Sequence, residues 1–234
     1  MNPLGLAGGA LGALWAVNGP LAQAVTAGLG AGIVRRGKHP SAVALTFDDG
    51  PHPHNTGRIC DILEANGARG TFFVLAENVR RFPKVADALI ERGHQVELHG
   101  LRHTHLWFSL PMASLRGLAG ALHIIEEATG VRPRYFRPPW GMCSLDGLVS
   151  ARRLKLRTVR WSVCPEGFLR PPSARAMAEH MLTRAKGGDI VCLHDAGGFP
   201  DTPKRVMACL REVLPRLSGS GLSALTLSDV LAGP

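Results

Sequence analysis

Ala42-Val-Ala-Leu-Thr-Phe-Asp-Asp-Gly-Pro51 is an apolar run that stops at two acids and a turn. Val43, Leu45 and Phe47 favour a strand, and Asp48-Asp49-Gly50-Pro51 ends it. The period then changes. Asn55-Thr56 caps a helix with Ile59, Ile62 and Leu63 on one face, closed by Asn66-Gly67. The same alternation repeats outward from this unit: strands at 71–75, 95–98, 135–136, 158–163, 190–193 and 222–225, and helices at 83–92, 110–129, 145–153, 174–185 and 204–217. About seven strands joined by helices predict parallel pairing with right-handed crossovers, in an open doubly wound sheet or a closed barrel. No glycine-rich fingerprint follows the first strand, which weighs against a dinucleotide-binding sheet. Polar residues sit where strands end, as at the active edge of an α/β barrel.

Composition sets the outer limits. With 234 residues, 45% hydrophobic and 19% charged, the chain is neither disordered nor collagen-like, and its length suits one large α/β domain. Five cysteines, far apart and never in a C-x-x-C pair, indicate neither a disulfide framework nor a zinc ribbon. Lys and Arg number 27 against 18 acids, a net charge of +9, which predicts attraction to polyanions such as an anionic cell-envelope polymer, anionic lipid or nucleic acid. No helix-turn-helix, zinc-finger or aromatic-basic signature supports the last, so no nucleic-acid partner is expected.

No Lys, Arg, Asp or Glu precedes Arg35, so residues 1–34 form an apolar N-terminal segment distinct from the charged remainder, 35–234. Its two apolar stretches, 4–17 and 21–34, are interrupted by Asn18-Gly19-Pro20, and each is shorter than the ~20 residues of a spanning helix. Three readings remain open. A leader cleaved after Ala22-Gln23-Ala24 lacks the usual basic n-region. An uncleaved anchor kinked at Pro20 would be followed by the basic cluster Arg35-Arg36-Gly37-Lys38. The third reading is an Ala/Gly-rich extension without a membrane role. The first two place the protein in the cell envelope, exported or membrane-anchored, while the third leaves a cytoplasmic location open.

The chemistry-bearing residues lie at the predicted strand ends. Asp48 and Asp49 are adjacent carboxylates that point in different directions, so one can bind a metal while the other takes a proton; alone they read as a turn. His99 and His103 are four apart after the third strand, a spacing with little weight by itself. Arg137-Pro138-Pro139-Trp140-Gly141 and His194-Asp195 each have an innocent reading, as a turn and a satisfied strand-end histidine. All four groups nevertheless fall in an order that could surround one barrel mouth.

Together these residues resemble the polysaccharide deacetylases (carbohydrate esterase family four, the NodB homology domain). The resemblance rests on Thr46-Phe47-Asp48-Asp49-Gly50, His99-x-x-x-His103, Arg137-Pro-Pro-Trp-Gly141 and Leu193-His194-Asp195. The spacers Ala68-Arg-Gly-Thr-Phe-Phe-Val74 and Gly93-His94 extend it over about residues 40–228. It implies a distorted parallel (β/α) barrel and a divalent metal, zinc first, with cobalt or another divalent ion as alternatives. Carried over residue by residue, Asp49, His99 and His103 would hold the metal, which fits a catalytic site with open coordination positions. Asp48 would be the general base and His194 the acid; Arg137 would orient Asp48, and a backbone N–H near Trp140, in the Pro139-Trp140-Gly141 turn, would stabilise the oxyanion.

This chain departs from the pattern in three places. Gly100 follows His99, where a hydroxyl residue is usual. In Trp161-Ser-Val-Cys164-Pro-Glu-Gly167-Phe168, Cys164, Gly167 and Phe168 occupy positions where the family places two aspartates and a tryptophan. One of those aspartates orients the acid histidine, and Glu166 is the candidate to replace it by reaching across. Cys192 stands where a leucine is expected, near a strand end like Cys164, and both read more readily as small buried hydrophobes. Leu193 is a further auxiliary candidate. His105 and Trp107 are candidate sugar-stacking residues in a chain only 6% aromatic.

The expected function is metal-dependent hydrolysis of N-acetyl groups from an N-acetylglucosamine-containing polysaccharide such as peptidoglycan or chitin oligomers. Two alternatives stand beside it. One is a deacylase or deformylase of a lipid-linked amino sugar, which the apolar N-terminus would suit. The other is a non-catalytic carbohydrate-binding protein, which the altered Cys164–Phe168 stretch would permit.

Overall fold

A computed structural model describes Trp15 and residues 17–29, 32–108, 112–167 and 169–234. It contains strands β1 (Ile33–Val34), β2 (Ala42–Asp48), β3 (Thr71–Leu75), β4 (Gln95–Gly100), β5 (Tyr135–Phe136), β6 (Arg157–Val159), β7 (Ile190–His194) and β8 (Ser223–Leu225). They pair in parallel in the order β1-β6-β5-β4-β3-β2-β7, with β8 added to β2. The circuit closes through the chain leaving β6. Ser162 N–H donates to Ile190 O at 3.0 Å, Cys192 N–H donates to Val163 O at 2.9 Å, and Val163 bridges Val191 in parallel.

Side-chain alternation along each strand divides the protein into two layers. Val43, Leu45 and Phe47 of β2, Phe72 and Val74 of β3, and Val191 and Leu193 of β7 join the larger apolar cluster. The helices Asn55–Glu64, Pro83–Glu91, Ala113–Thr129, Leu145–Arg153, Ala174–Arg184 and Thr202–Gly219 supply its other face. Facing inward are Ala42, Ala44, Phe73, Tyr135, Val159 and Ile190, a small cluster at the foot of the barrel. Further along the same inward rows come polar residues: Thr46 and Asp48, Glu97 and His99, Arg137, and Cys192 and His194. The barrel is therefore apolar at one end and chemically equipped at the other.

Expected and observed elements agree closely on the helices, for example 145–153 and Leu145–Arg153. The expected strand 158–163 is shorter, with β6 ending at Val159 before Val163 makes its isolated bridge to β7. Two short helices, Ala76–Arg81 and Leu227–Ala232, and the two-residue β1 carry too little periodicity to be read from sequence. Phe168 lies outside the described residues, as do residues 110 and 111 at the start of the expected 110–129 helix.

Residues ahead of β1 pack on loops at the polar end. Asn18 Oδ1 accepts from Asp146 N–H at 2.9 Å, and its Nδ2 donates to Trp107 O at 3.4 Å. Gln23 Oε1 accepts from Cys143 N–H at 2.8 Å. Ala22-Gln23-Ala24 opens the helix Ala22–Leu29, and β1 pairs with Thr158 and Val159. Among the described residues, no helix is long and apolar enough to cross a membrane.

Candidate catalytic and metal site

Strand β2 delivers Asp48 and Asp49 to the polar end, and the backbone turns over between them: Asp48 finishes the strand while Asp49 adopts φ 74°. Their side chains consequently leave in different directions, into two connected clusters.

The first cluster is Asp49, His99 and His103. Asp49 Oδ1 lies 3.3 Å from Nε2 of each histidine. His99 Nδ1 is 2.8 Å from Arg137 O, and since a carbonyl only accepts, Nδ1 carries the proton and Nε2 presents a lone pair to Asp49. Asp49 Oδ1 is buried with no hydrogen-bond partner, and a cation between it and the two imidazoles would satisfy it. Burial raises the Asp49 pKa, but the nearby His99, then His194 and His103, outweigh it and hold the carboxyl below its ordinary value. Burial is also the main reason that the His103 pKa is lowered, which favours the neutral imidazole that ligates metals. Two imidazole nitrogens and one carboxylate suit zinc and related divalent ions, and the residues present fit such an ion.

The loop after β7 closes over this cluster. Gly197 has φ 62°, and a Cβ there would lie 2.2 Å from Asp49 Oδ2. Gly197→Ala is accordingly expected to displace Asp49 and weaken cation affinity by at least ~10-fold, in line with losses on disturbing a metal's supporting shell. Zinc titration by calorimetry checks this; unchanged affinity would show that the loop yields instead.

The second cluster surrounds Asp48. Arg137 Nη1 donates to Asp48 Oδ1 at 2.7 Å and to Thr46 Oγ1 at 2.8 Å, while Nη2 donates to Arg160 O at 3.2 Å. The guanidinium is fully buried and lies 4.1 Å from the Phe73 ring centroid. Thr46 Oγ1 donates in turn to Val191 O at 2.6 Å, so one chain of bonds fixes the carboxylate's plane. Cys192 Sγ lies 3.6 Å from Asp48 Oδ2.

His194 stands beside Asp48, its register partner across β2 and β7. Glu166 grips it twice: Oε2 meets Nδ1 at 2.7 Å, and Oε1 accepts from His194 N–H at 2.8 Å. Burial opposes a charge on this ring. The Glu166 hydrogen bond and charge, joined by Asp48 and Asp49, prevail and raise the pKa to about 10. Glu166 thus fills the orienting position left by Cys164 and Gly167. The His194 side chain keeps 23% exposure, so the ring is accessible from the polar end.

Trp140 rests on the metal cluster, 4.0 Å from the His103 ring centroid and stacked on His105 at 5.0 Å, and it is half exposed. Pro139 is buried below it, and Gly141 turns away against Trp161. Leu193 is the exception among the sequence candidates. It alternates with Cys192 and His194, so it faces the helical layer and belongs to the outer apolar cluster. Thr46 and Asp195 lie within the sequence motifs, which gave neither a role, and the sequence carried no signal for Gly197. Asp195 is fully buried, and burial raises its carboxyl to about 7 while the Thr56 hydroxyl hydrogen-bonds to it.

The fold and site define a parallel α/β barrel with a carboxylate–histidine cluster, a candidate cation site, flanked by Asp48 and His194 at the carboxyl ends of its strands. The chain belongs to the polysaccharide deacetylase family, whose sequence profile matches residues 35–159. It is 30% identical over 191 residues to a peptidoglycan-N-acetylglucosamine deacetylase of Bacillus cereus, covering 81% of this chain and 87% of that protein. A chitooligosaccharide deacetylase of Azorhizobium caulinodans is 30% identical over 196 residues, covering 80% and 92%. A solved peptidoglycan N-acetylglucosamine deacetylase superposes with a TM-score of 0.79 at 25% identity, over 89% of this chain and 97% of that one. The fold is also that of a CE4 family pseudoenzyme from Bacillus anthracis, with a TM-score of 0.76 at 21% identity over 85% and 68% of the two chains.

Proposed function

We propose that this protein hydrolyses N-acetyl groups from an N-acetylglucosamine-containing polysaccharide, peptidoglycan or chitin oligomers, at the cell envelope, with a divalent cation at Asp49, His99 and His103. The observation that carries the proposal is the side-by-side placement of the Asp49, His99 and His103 cluster with its partnerless Asp49 Oδ1, the Asp48 carboxylate held by Arg137, and His194 gripped by Glu166. When bound, the cation polarises the acetamide carbonyl and makes water more acidic. Asp48, fixed by Arg137, accepts the attacking water's proton, and His194 passes its own to the departing amine, giving acetate and free amine. The turn at Trp140 supplies the backbone N–H that faces the developing oxyanion. The half-exposed Trp140 ring offers a sugar-stacking surface beside this cluster.

Zinc is the first choice of ion because the donor set is two nitrogens and one oxygen. The test is acetate release from N-acetylglucosamine oligomers and from peptidoglycan by the full chain, chelator-stripped and then reloaded with zinc or cobalt. Stripping is expected to remove activity and reloading to restore it. Metal binding without release from either substrate would redirect the search to lipid-linked amino sugars, and absence of metal binding would favour a carbohydrate-binding protein.

A further inference from the structure

We propose that Cys164 and Cys192 form a reversible disulfide beside Asp48, an oxidation-sensitive site in the wall of the barrel. The proposed hydrolysis assigns no step to either thiol, and the inference stands independently of that activity.

The pairing follows from register. Val163 bridges Val191 in parallel, and Cys192 N–H donates to Val163 O at 2.9 Å, so Cys164 and Cys192 occupy the next positions on adjacent chains. Neighbouring strands run ~4.8 Å apart, inside the ~4.4–6.8 Å Cα window that a disulfide spans. Val163 and Val191 both join the outer apolar cluster, so alternation turns the next residue on each chain, Cys164 and Cys192, toward the opposite, inward face.

Their environments divide the labour. Cys164 is partly exposed, and its thiol is lowered chiefly by the hydrogen bond with Cys192, which makes it the better thiolate. Cys192 is buried, with its thiol raised well above the ordinary value by Cys164 and by burial. The other three cysteines are buried, and burial raises their thiols too, those of Cys60 and Cys209 to about 12.

The oxidant is a low-molecular-weight disulfide. Cys164 thiolate attacks one of its sulfurs, the small S–S bond breaks, and one small thiolate leaves. Cys192 then loses its proton and attacks Cys164 Sγ, expelling the second small thiolate. Two protein thiols give up two electrons and two protons, and one small disulfide becomes two thiols. Once Cys192 is oxidised, its S–H no longer faces Asp48 Oδ2, and the segment two residues before Glu166 is tied to β7.

Incubating the folded full chain with oxidised glutathione, then denaturing and counting thiols, tests the pairing. Free thiols are expected to fall from five to three, with a Cys164–Cys192 peptide link in the mass spectrum that dithiothreitol removes. Cys164→Ser is expected to keep Cys192 unreactive, and Cys192→Ala to trap a glutathione adduct on Cys164. A link through Cys60, Cys143 or Cys209, or no link in the folded protein, overturns the proposal. Where acetate release is measured on the same samples, it is expected to drop on oxidation and return on reduction; undiminished release by the linked protein overturns the coupling to Asp48.

Discussion

Asp48→Asn lowers acetate release by the zinc-loaded protein about 100- to 10,000-fold, the range that a positioned general base contributes. The substitution keeps the shape of the side chain and can still accept from Arg137 Nη1, but it cannot take a proton from water. Its second effect is on stability. Arg137 is fully buried, with Asp48 its one carboxylate partner among the described residues. Removing one member of a buried pair typically costs ~3–5 kcal/mol because the remaining charge is left uncompensated. The remaining contacts, to Thr46 Oγ1, Arg160 O and the Phe73 face, offset part of that cost. Kinetics at a temperature well below the unfolding midpoint of the variant, with its zinc content verified, separate the two effects. Retention of more than a tenth of wild-type turnover by zinc-loaded, folded Asp48→Asn would assign the base elsewhere.

Why these residues converge is partly legible in the sequence. The alternation Leu45-Thr46-Phe47-Asp48 states in four letters that one face of β2 is packed under helices and the other carries chemistry, and the structure distributes them so. The order of Asp49, His99, Arg137 and His194 along the chain is the order of strands around the barrel, so parallel topology alone brings them to one rim. What periodicity could not convey is contact between side chains whose separation depends on closure. Glu166 reaches His194 because the chain leaves β6 and crosses to β7 through Val163, a junction too irregular to show as a strand. Leu193 misleads for the opposite reason: proximity to His194 in sequence places it on the opposite face of a strand. Gly197 carries no signal either, since its constraint is the approach of Asp49 from a distant strand.

Residues 17–29 add a point of specificity. Gly19 lies against the Trp107 indole so closely that a Cβ would come within 2.7 Å, and Asn18 bonds to both Trp107 O and Asp146 N–H. Trp107 Nε1 donates to Cys143 O at 3.0 Å, and its ring meets His105 at 5.3 Å, which stacks on Trp140. The apolar segment is therefore coupled, through one run of aromatic contacts, to the half-exposed indole beside the candidate cation site.

Glu166→Gln is expected to move the alkaline limb of turnover downward by up to about three pH units. In the wild type, Glu166 accepts from both His194 N–H and Nδ1–H, whereas a glutamine has only one oxygen for these two donors. Its NH2 group must face either the backbone N–H or the ring, and in neither arrangement does the side chain bring a negative charge to support the imidazolium. Burial, the largest influence and opposed to the charge, is then countered only by Asp48 and Asp49, and the His194 pKa falls from about 10 toward the ordinary 6.5. At pH 8 a group with pKa 6.5 is protonated in roughly 1 molecule in 30, so turnover limited by the acid form drops by up to about 30-fold, and it recovers on acidification. A cation at Asp49, His99 and His103 repels the imidazolium in both proteins, which makes the difference between their profiles the quantity to read. Linkage gives the same sign in stability. A histidine raised from 6.5 to about 10 by folding stabilises fully below pH 6.5, and this contribution is lost as pH rises through 10. The wild-type unfolding midpoint should therefore fall over that interval, and the variant should lack that portion of the decline. Superimposable pH profiles of turnover would show that His194 keeps its proton without Glu166, leaving Asp48 and Asp49 as the charges that hold it.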